Sequence, residues 1–153
     1  MRLHLIAIGR LKSGPHEALA RHYAERLTFP LIVREVEEKR PLPAAELKER
    51  EGALLLAAVP ERAATVALDA RGKTLTSEAF AEHLARWRDG GTADLAFLIG
   101  GAEGLSAAVL RRAALVLSLG AMTWPHLLVR GMLLEQLYRA QQILAGHPYH
   151  RGE

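Results

Sequence analysis

The stretch FLIGGAEGLS, residues 97–106, places an apolar run directly before a turn that contains three glycines. A second stretch, SLGAMTWPHLLVRG, residues 118–131, repeats the arrangement with a glycine-centred bend and then Pro125, a residue that favours the first turn of a helix. Glycine allows positive φ and lets backbone amides approach a ligand closely. Both stretches therefore predict a strand, a turn that could bind a ligand, and a helix. A tight structural turn explains a lone GGxxG equally well.

Outward from these two stretches, strand-like and helix-like segments alternate along the chain. The predicted strands are residues 2–8, 31–36, 65–68, 95–99 and 116–119. The predicted helices are residues 15–28, 43–59, 77–89, 106–114 and 125–145. This alternation predicts an α/β fold with a mainly parallel sheet and helices on both faces, in which ligands bind at the carboxyl ends of the strands. We expect residues 1–153 to form a single domain, because the length suits one core.

Composition excludes several classes of protein. The chain has no cysteine, which excludes disulfides, thiolate metal sites and a cysteine nucleophile. Its net charge of +3 permits RNA binding without demonstrating it. The first apolar stretch is short and interrupted by His4, unlike a signal peptide, and no apolar run approaches the roughly 18 residues of a membrane span. We therefore expect a cytoplasmic protein with no membrane contact.

The first glycine turn favours a ligand other than a phosphate. It matches neither the P-loop nor the GxGxxG pattern, and Glu103 occupies the place where a helix N-terminus would otherwise attract an anion. A hydroxyl-rich or cationic ligand fits better, and S-adenosylmethionine has ribose hydroxyls, a sulfonium cation and no phosphate. A third turn, residues 68–72, falls at the same predicted edge of the sheet. Met122 and Trp124 in the second turn are equally explained as core residues.

The predicted long helix, residues 125–145, is apolar on more than one side, which is typical of a buried helix or of a subunit interface. We favour a homodimer whose interface includes it. Arg130 and Arg139 interrupt the apolar surface, so they either find partners inside the protein or extend to solvent.

The C-terminal segment HPYHR, residues 147–151, combines imidazoles, a phenol and a guanidinium. These groups suit base stacking, phosphate binding and proton transfer, although a frayed terminus is the alternative. No carboxylate or cysteine is spaced with the histidines, so we expect no metal site.

Four blocks taken together, FLIGGAEGLS, LSLGAMTWPH, LVRGMLLEQLYRA and HPYHRGE, resemble the RlmH family. Its members are SPOUT-class methyltransferases that modify N3 of a pseudouridine in large-subunit (23S) ribosomal RNA. The resemblance covers essentially the whole chain, with the blocks in the same order. It implies a SPOUT-type α/β domain with a deep C-terminal trefoil knot, an exception to the rule that chains avoid threading. It also implies a homodimer, S-adenosylmethionine as cofactor, and a substrate within the assembled ribosome.

The resemblance further implies the site residues. Cofactor contacts fall on Leu68, Gly100, Leu119, Gly120, Ala121, Met122, Thr123 and Trp124. Substrate handling falls on Tyr149, His150, Arg151 and Arg139, and by extension on His126 and Arg130. In the resulting hypothesis His150 accepts or relays the N3 proton, and Tyr149 stacks on the base. Arg151 or Arg139 steadies the developing oxyanion or a phosphate.

Three alternatives remain at this point. A SPOUT enzyme acting on transfer RNA would have the same fold and cofactor. A non-catalytic ribosome-binding module would have the fold without the cofactor. A serine hydrolase built on Ser106 lacks the G-x-S-x-G elbow, and Ser106 is well explained as a helix cap.

Overall fold

Strands and helices alternate along residues 1–151, which are the residues that the computed structural model describes. In chain order the elements are β1 (Arg2–Ile8), α1 (Pro15–Ala24), β2 (Leu31–Val36), α2 (Ala44–Ala58), β3 (Ala64–Thr74), α3 (Ser77–Asp89), β4 (Asp94–Ile99), α4 (Ala107–Arg112), β5 (Leu115–Ser118), α5 (His126–Leu144) and a closing 3-10 helix (Pro148–Arg151).

The strands form one sheet in the order β2-β1-β4-β3-β5, and all neighbouring pairs are parallel. Side chains of β1 alternate between the two faces, as the strand geometry requires. Leu3 and Leu5 pack in the core beneath α1, α3 and α5. Ile6 and Ile8 pack in a second cluster beneath α2 and α4. The predicted α/β fold, with a parallel sheet covered on both faces, is confirmed; the knot stays a prediction.

Strand β3 is longer than the sequence predicts. Its expected end at Leu68 is followed by an irregularity in the pairing with β5, because Leu68 and Lys73 both pair with Leu117. The four residues between them have no paired residue on β5 and bulge out of the sheet. A Cβ on Gly72 would lie 2.4 Å from the carbonyl oxygen of Val116, so the return of β3 to the sheet requires glycine there. The turn predicted at residues 68–72 is therefore part of the strand.

The predicted helix caps are present. The Thr76 hydroxyl accepts a hydrogen bond from the Ala79 amide at 3.0 Å. Ser106 is buried and accepts one from the Val109 amide at 3.4 Å. A cap of this kind is worth about 1 kcal/mol. It also gives Ser106 a structural role, which removes the basis for a serine hydrolase.

The long helix α5 is enclosed within its own chain. It packs against α1 and α3, and none of residues 126–144 is exposed. Leu133, Leu134 and Leu137 are buried in the larger core cluster. The wide apolar arc of α5 thus follows from burial between two helices, and the homodimer stays a prediction.

A buried arginine ties α5 to the carboxyl ends of β1 and β2. Arg130 is 1% exposed, and its Nη2 donates to the carbonyl oxygens of Ile8 at 3.1 Å and Gly9 at 2.7 Å. Its Nη1 donates to Glu35, which also accepts from the Leu11 amide at 2.6 Å. Burial alone would raise the pKa of Glu35, but the Leu11 amide and Arg130 outweigh burial and lower it. The alternative that Arg130 extends to solvent is wrong.

Replacing Arg130 by methionine (Arg130→Met) is expected to lower the free energy of unfolding by about 3 kcal/mol, because a buried pair loses one partner. Urea unfolding measures the loss. Since the pKa of Glu35 is lowered in the folded state, the pair stabilises above the unfolded pKa, and this contribution is lost as the pH falls through the folded value. The effect of Arg130→Met should therefore shrink in acid.

The matched control is Arg10→Met. Arg10 is exposed and lies 3.7 Å from Glu37. Its loss should change the free energy of unfolding by less than about 0.5 kcal/mol. Equal losses for the two variants would show that Arg130 does not anchor α5.

Candidate active site

Strands β4, β3 and β5 are neighbours, and the turns that follow β4 and β5, together with the bulge inside β3, surround a cavity of about 260 Å³, which we call the loop cavity. Residues from all three predicted turns line it. Seven of the eight predicted cofactor residues are among them: Leu68, Gly100, Leu119, Gly120, Met122, Thr123 and Trp124. The eighth, Ala121, is exposed in the same turn. The structure thus brings the residues together, and their role as cofactor contacts stays a prediction.

The first turn depends on its glycines. The Gly104 amide donates to the Gly101 carbonyl at 3.0 Å, and Gly104 has a φ of 81°. A Cβ on Gly100 would lie 2.9 Å from the backbone of Gly104. Side chains at these positions would force the turn open, so its backbone can approach a ligand only with this sequence.

A buried carboxyl group lies beneath this turn. Glu51 on α2 is 7% exposed, and its carboxyl oxygens would lie 3.2 and 3.4 Å from a Cβ built on Gly101. Within residues 1–151 its buried Oε1 has no hydrogen-bond partner. Burial and the nearby Glu103 raise the pKa of Glu51. Local sequence patterns missed this residue, since its neighbour in space is about 50 residues away in the chain.

The second turn lies open at the mouth of the loop cavity. Met122 is 74% exposed and Trp124 is 41% exposed. The Trp124 indole donates to the carbonyl oxygen of Leu119 at 3.3 Å, which closes the turn on itself. The alternative that these two side chains pack in the core is wrong.

His126 begins α5 and also lines the loop cavity. Burial and the nearby Arg130 lower its pKa. Its imidazole is therefore neutral at neutral pH. Arg130 itself is engaged below the surface, so it supports His126 through the packing of α5 and does not handle a substrate directly.

The C-terminal segment folds back on α5. The Tyr149 hydroxyl donates to Glu135 at 3.2 Å, and the Tyr149 ring lies 4.8 Å from that of Tyr138. His150 lies between two charged groups, with Nδ1 3.0 Å from Arg139 and Nε2 2.7 Å from Glu78. The frayed-terminus alternative is wrong for residues 148–151, which form a 3-10 helix.

Aromatic and ionic contacts set the protonation state of Tyr149 and the position of Arg139. Burial, Tyr23 and Glu135 raise the pKa of Tyr149, so it remains a protonated phenol. Arg139 binds Glu135 at 2.6 Å and places its guanidinium 4.9 Å from the Tyr149 ring. Arg151 is exposed. Glu135 and Glu78 were missed from sequence; only the i,i+4 spacing of Glu135 and Arg139 signals an ion pair.

The segment lies beside a second cavity of about 560 Å³ among α1, α3 and α5, which we call the helix cavity. Glu135 and Gln136 of α5 line it, and Gln136 accepts from the Ser77 hydroxyl at 2.7 Å. The two cavities share Leu117, Leu119 and Gly120. The end of β5 is thus a wall common to the two cavities, and the predicted substrate residues Arg139, Tyr149, His150 and Arg151 line neither of them.

In the described part of the chain, no group of histidines, cysteines or carboxylates is arranged to hold a metal ion. A search of residues 1–151 also finds no helix with the length and apolar character needed to cross a bilayer.

The fold resembles that of solved methyltransferases. It aligns with the SpoU methyltransferase AviRb from Streptomyces viridochromogenes, solved with AdoMet, with a TM-score of 0.51 and 18% identity over 93% of this chain and 58% of the other. A methyltransferase from Legionella pneumophila, solved with SAM, gives a TM-score of 0.51 and 16% identity over 92% of this chain and 66% of the other. The chain spans less than two thirds of either length, and the likeness concerns the fold.

The family model described as "Predicted SPOUT methyltransferase" matches residues 1–150. Two relatives named ribosomal RNA large subunit methyltransferase H are similar over their full length. The one from Rhodospirillum centenum is 60% identical over 99% of this chain and 100% of its own. The one from Paramagnetospirillum magneticum is 56% identical over 99% of both chains. The chain therefore belongs to the RlmH family of SPOUT methyltransferases, as its four sequence blocks indicate.

Replacing Glu51 by glutamine (Glu51→Gln) tests the buried carboxyl group. Because the pKa of Glu51 is raised in the folded state, its stabilising contribution is present below the unfolded pKa and is lost as the pH rises through the folded value. The Tm of Glu51→Gln minus that of wild type should therefore be more positive at pH 8 than at pH 4.

The exposed neighbour on the same helix supplies the control, Glu49→Gln, which should change Tm equally at both pH values. A larger fall in Tm for Glu51→Gln at pH 8 than at pH 4 would show that Glu51 is stabilised as a carboxylate.

Proposed function

We propose that this protein transfers a methyl group from S-adenosylmethionine to large-subunit ribosomal RNA. One observation carries the proposal: three glycine-containing or bulged turns surround a single cavity in a chain 60% identical over its full length to a protein named ribosomal RNA large subunit methyltransferase H. The proposed target atom is N3 of a pseudouridine, as the RlmH resemblance implies.

The chemistry of the loop cavity fits S-adenosylmethionine. Among the described residues, no lysine or arginine lines the cavity, and Asp69 contributes a carboxylate. Such a lining suits a sulfonium cation and ribose hydroxyls and would repel a phosphate. Apolar side chains such as Leu68 and Leu105 suit the adenine ring. When bound, the cofactor supplies an electrophilic methyl group; the three turns hold it in position, which is worth several kcal/mol of barrier.

The proposed acceptor requires the loss of a proton, and His150 is placed to relay one. Arg139 can only donate, so its contact makes Nδ1 of His150 the acceptor and leaves the proton on Nε2, which donates to Glu78. Glu78 is 59% exposed and offers a route to solvent. In this proposal the target base displaces Arg139 from Nδ1, and His150 passes the N3 proton towards Glu78.

Tyr149 and Arg139 complete the substrate side. A phenol whose pKa is raised stays neutral, so Tyr149 acts by stacking and by hydrogen bonding. Arg139 lies over the Tyr149 ring and can pair with a developing oxyanion or a phosphate. Exposed Arg151 is suited to the RNA backbone.

The proposal includes a homodimer that acts on the assembled ribosome in the cytoplasm. Met122 and Trp124 expose apolar surface at the cavity mouth. Exposed large apolar side chains of this kind suit an interface with a second copy of the chain. Recognition of a folded RNA surface agrees with the small basic excess of the chain, which is too weak for tight binding by charge alone.

The direct test is transfer of labelled methyl from S-adenosylmethionine to intact ribosomes, naked large-subunit RNA and bulk transfer RNA, all from cells lacking this gene. Label in large-subunit RNA of ribosomes, at N3 of a pseudouridine, is the expected result. Label in transfer RNA would overturn the substrate, and a protein that binds no S-adenosylmethionine and transfers no methyl group to any RNA would favour a non-catalytic module.

His150→Ala is expected to lower the single-turnover rate by about 100-fold, the usual contribution of a general base or relay. Binding of S-adenosylmethionine should be unchanged, because His150 does not line the loop cavity. Rapid quench with saturating ribosomes measures the rate. His16→Ala at the start of α1 is the matched control. An unchanged rate in His150→Ala would contradict the assigned role.

A further inference from the structure

Asp69 is the acidic side chain that lines the loop cavity among residues 1–151. It follows Leu68 at the start of the bulge in β3. We propose that Asp69 determines specificity by favouring the cationic methyl donor S-adenosylmethionine over its neutral product, S-adenosylhomocysteine. The inference rests on the proposed function and assigns this carboxylate a role in that site.

The ion pair between Asp69 and Arg71 is directed towards solvent. The Nε and Nη2 atoms of Arg71 lie 3.0 and 2.9 Å from the two carboxylate oxygens, and the Arg71 amide donates to Oδ1 at 2.8 Å. The Arg71 side chain is 70% exposed, whereas that of Asp69 is 11% exposed. Arg71 therefore covers the carboxylate from outside. An exposed pair of this kind is easily exchanged, because water and salt screen it.

The carboxylate has capacity for a further contact. Two carboxylate oxygens offer about four acceptor positions, and three are used by Arg71. The Arg71 side chain and amide, with Lys48, outweigh burial and lower the pKa of Asp69. Asp69 is thus anionic at neutral pH and can attract a cation in the cavity.

A second carboxylate near the loop cavity acts in the same direction. Glu103 belongs to the first turn, whereas the buried Glu51 beneath it has a raised pKa, which favours its neutral form. His126 is neutral because its pKa is lowered. Lys48 and Arg71, the cations that interact with Asp69, do not line the cavity. A sulfonium therefore meets a negative environment, and a thioether of the same shape gains nothing from it.

This difference has a consequence for turnover. Transfer moves the methyl group to the acceptor nitrogen, and the electron pair of the broken carbon–sulfur bond stays on sulfur, which becomes a neutral thioether. The attraction to Asp69 is lost at that step. Arg71 regains its full contact with the carboxylate as the product leaves, so Asp69 favours binding of the donor and release of the product.

Titration calorimetry with S-adenosylmethionine and S-adenosylhomocysteine tests the inference. In Asp69→Asn we expect about tenfold weaker binding of S-adenosylmethionine and less than threefold weaker binding of S-adenosylhomocysteine. The tenfold loss equals the free energy of a pKa shift of about one unit. Arg71→Gln should increase the preference for S-adenosylmethionine over S-adenosylhomocysteine, because it removes the cation that competes for Asp69. Asp89→Asn breaks an exposed aspartate–arginine pair that does not line the loop cavity, and it should leave the preference between the two ligands unchanged.

Equal weakening of both ligands in Asp69→Asn, with no shift of this preference in Arg71→Gln, would overturn the role of Asp69 and leave the proposed function intact. Wild-type protein that binds neither ligand would overturn the proposed function as well. If Asp69→Asn does not fold, Arg71→Gln decides alone: a preference that shifts towards S-adenosylmethionine supports the inference, and an unchanged or reversed preference rejects it.

Discussion

The site depends on one constraint of the sheet: β3 lies between β4 and β5, and all three strands are parallel. Their carboxyl ends therefore meet at one edge, and turns that are far apart in sequence enclose one cavity. The bulge after Leu68 supplies one wall, the Gly100 turn a second, and the residues after Ser118 the third. A change in strand order would separate these walls, even with every turn intact.

The position of α5 relative to that edge depends on buried polar contacts. Arg130 binds backbone at the end of β1 and Glu35 on β2, so it holds the helix that carries both His126 and Arg139. The C-terminal segment then packs on α5 through Tyr149 and His150. One buried guanidinium that contacts two carbonyl oxygens and a carboxylate fixes the position of α5 along the sheet edge. These contacts thereby fix the loop cavity and the C-terminal segment relative to each other, with the end of β5 between them.

Much of this structure could be predicted from local pattern. Apolar runs, glycines and caps such as Ser106 are local signals, and they predicted the elements and the three turns. The seven cofactor residues around the loop cavity were implied by the resemblance to the RlmH family. The longer β3 could not be predicted, because it depends on pairing with β5. Glu51 and the partners of Arg130 were also missed, since Arg130 and Glu35 are 95 residues apart. Buried polar contacts of this range leave no periodicity in the sequence.

The central claim is that the loop cavity holds the methyl donor while the C-terminal segment acts from the far side of β5. A crystal structure of the protein with S-adenosylhomocysteine tests it most directly. We predict adenosine among Leu68, Gly100 and the turn from Leu119 to Trp124, with the sulfur facing the wall shared with the helix cavity. Ligand bound in the helix cavity beside Gln136 would contradict the account.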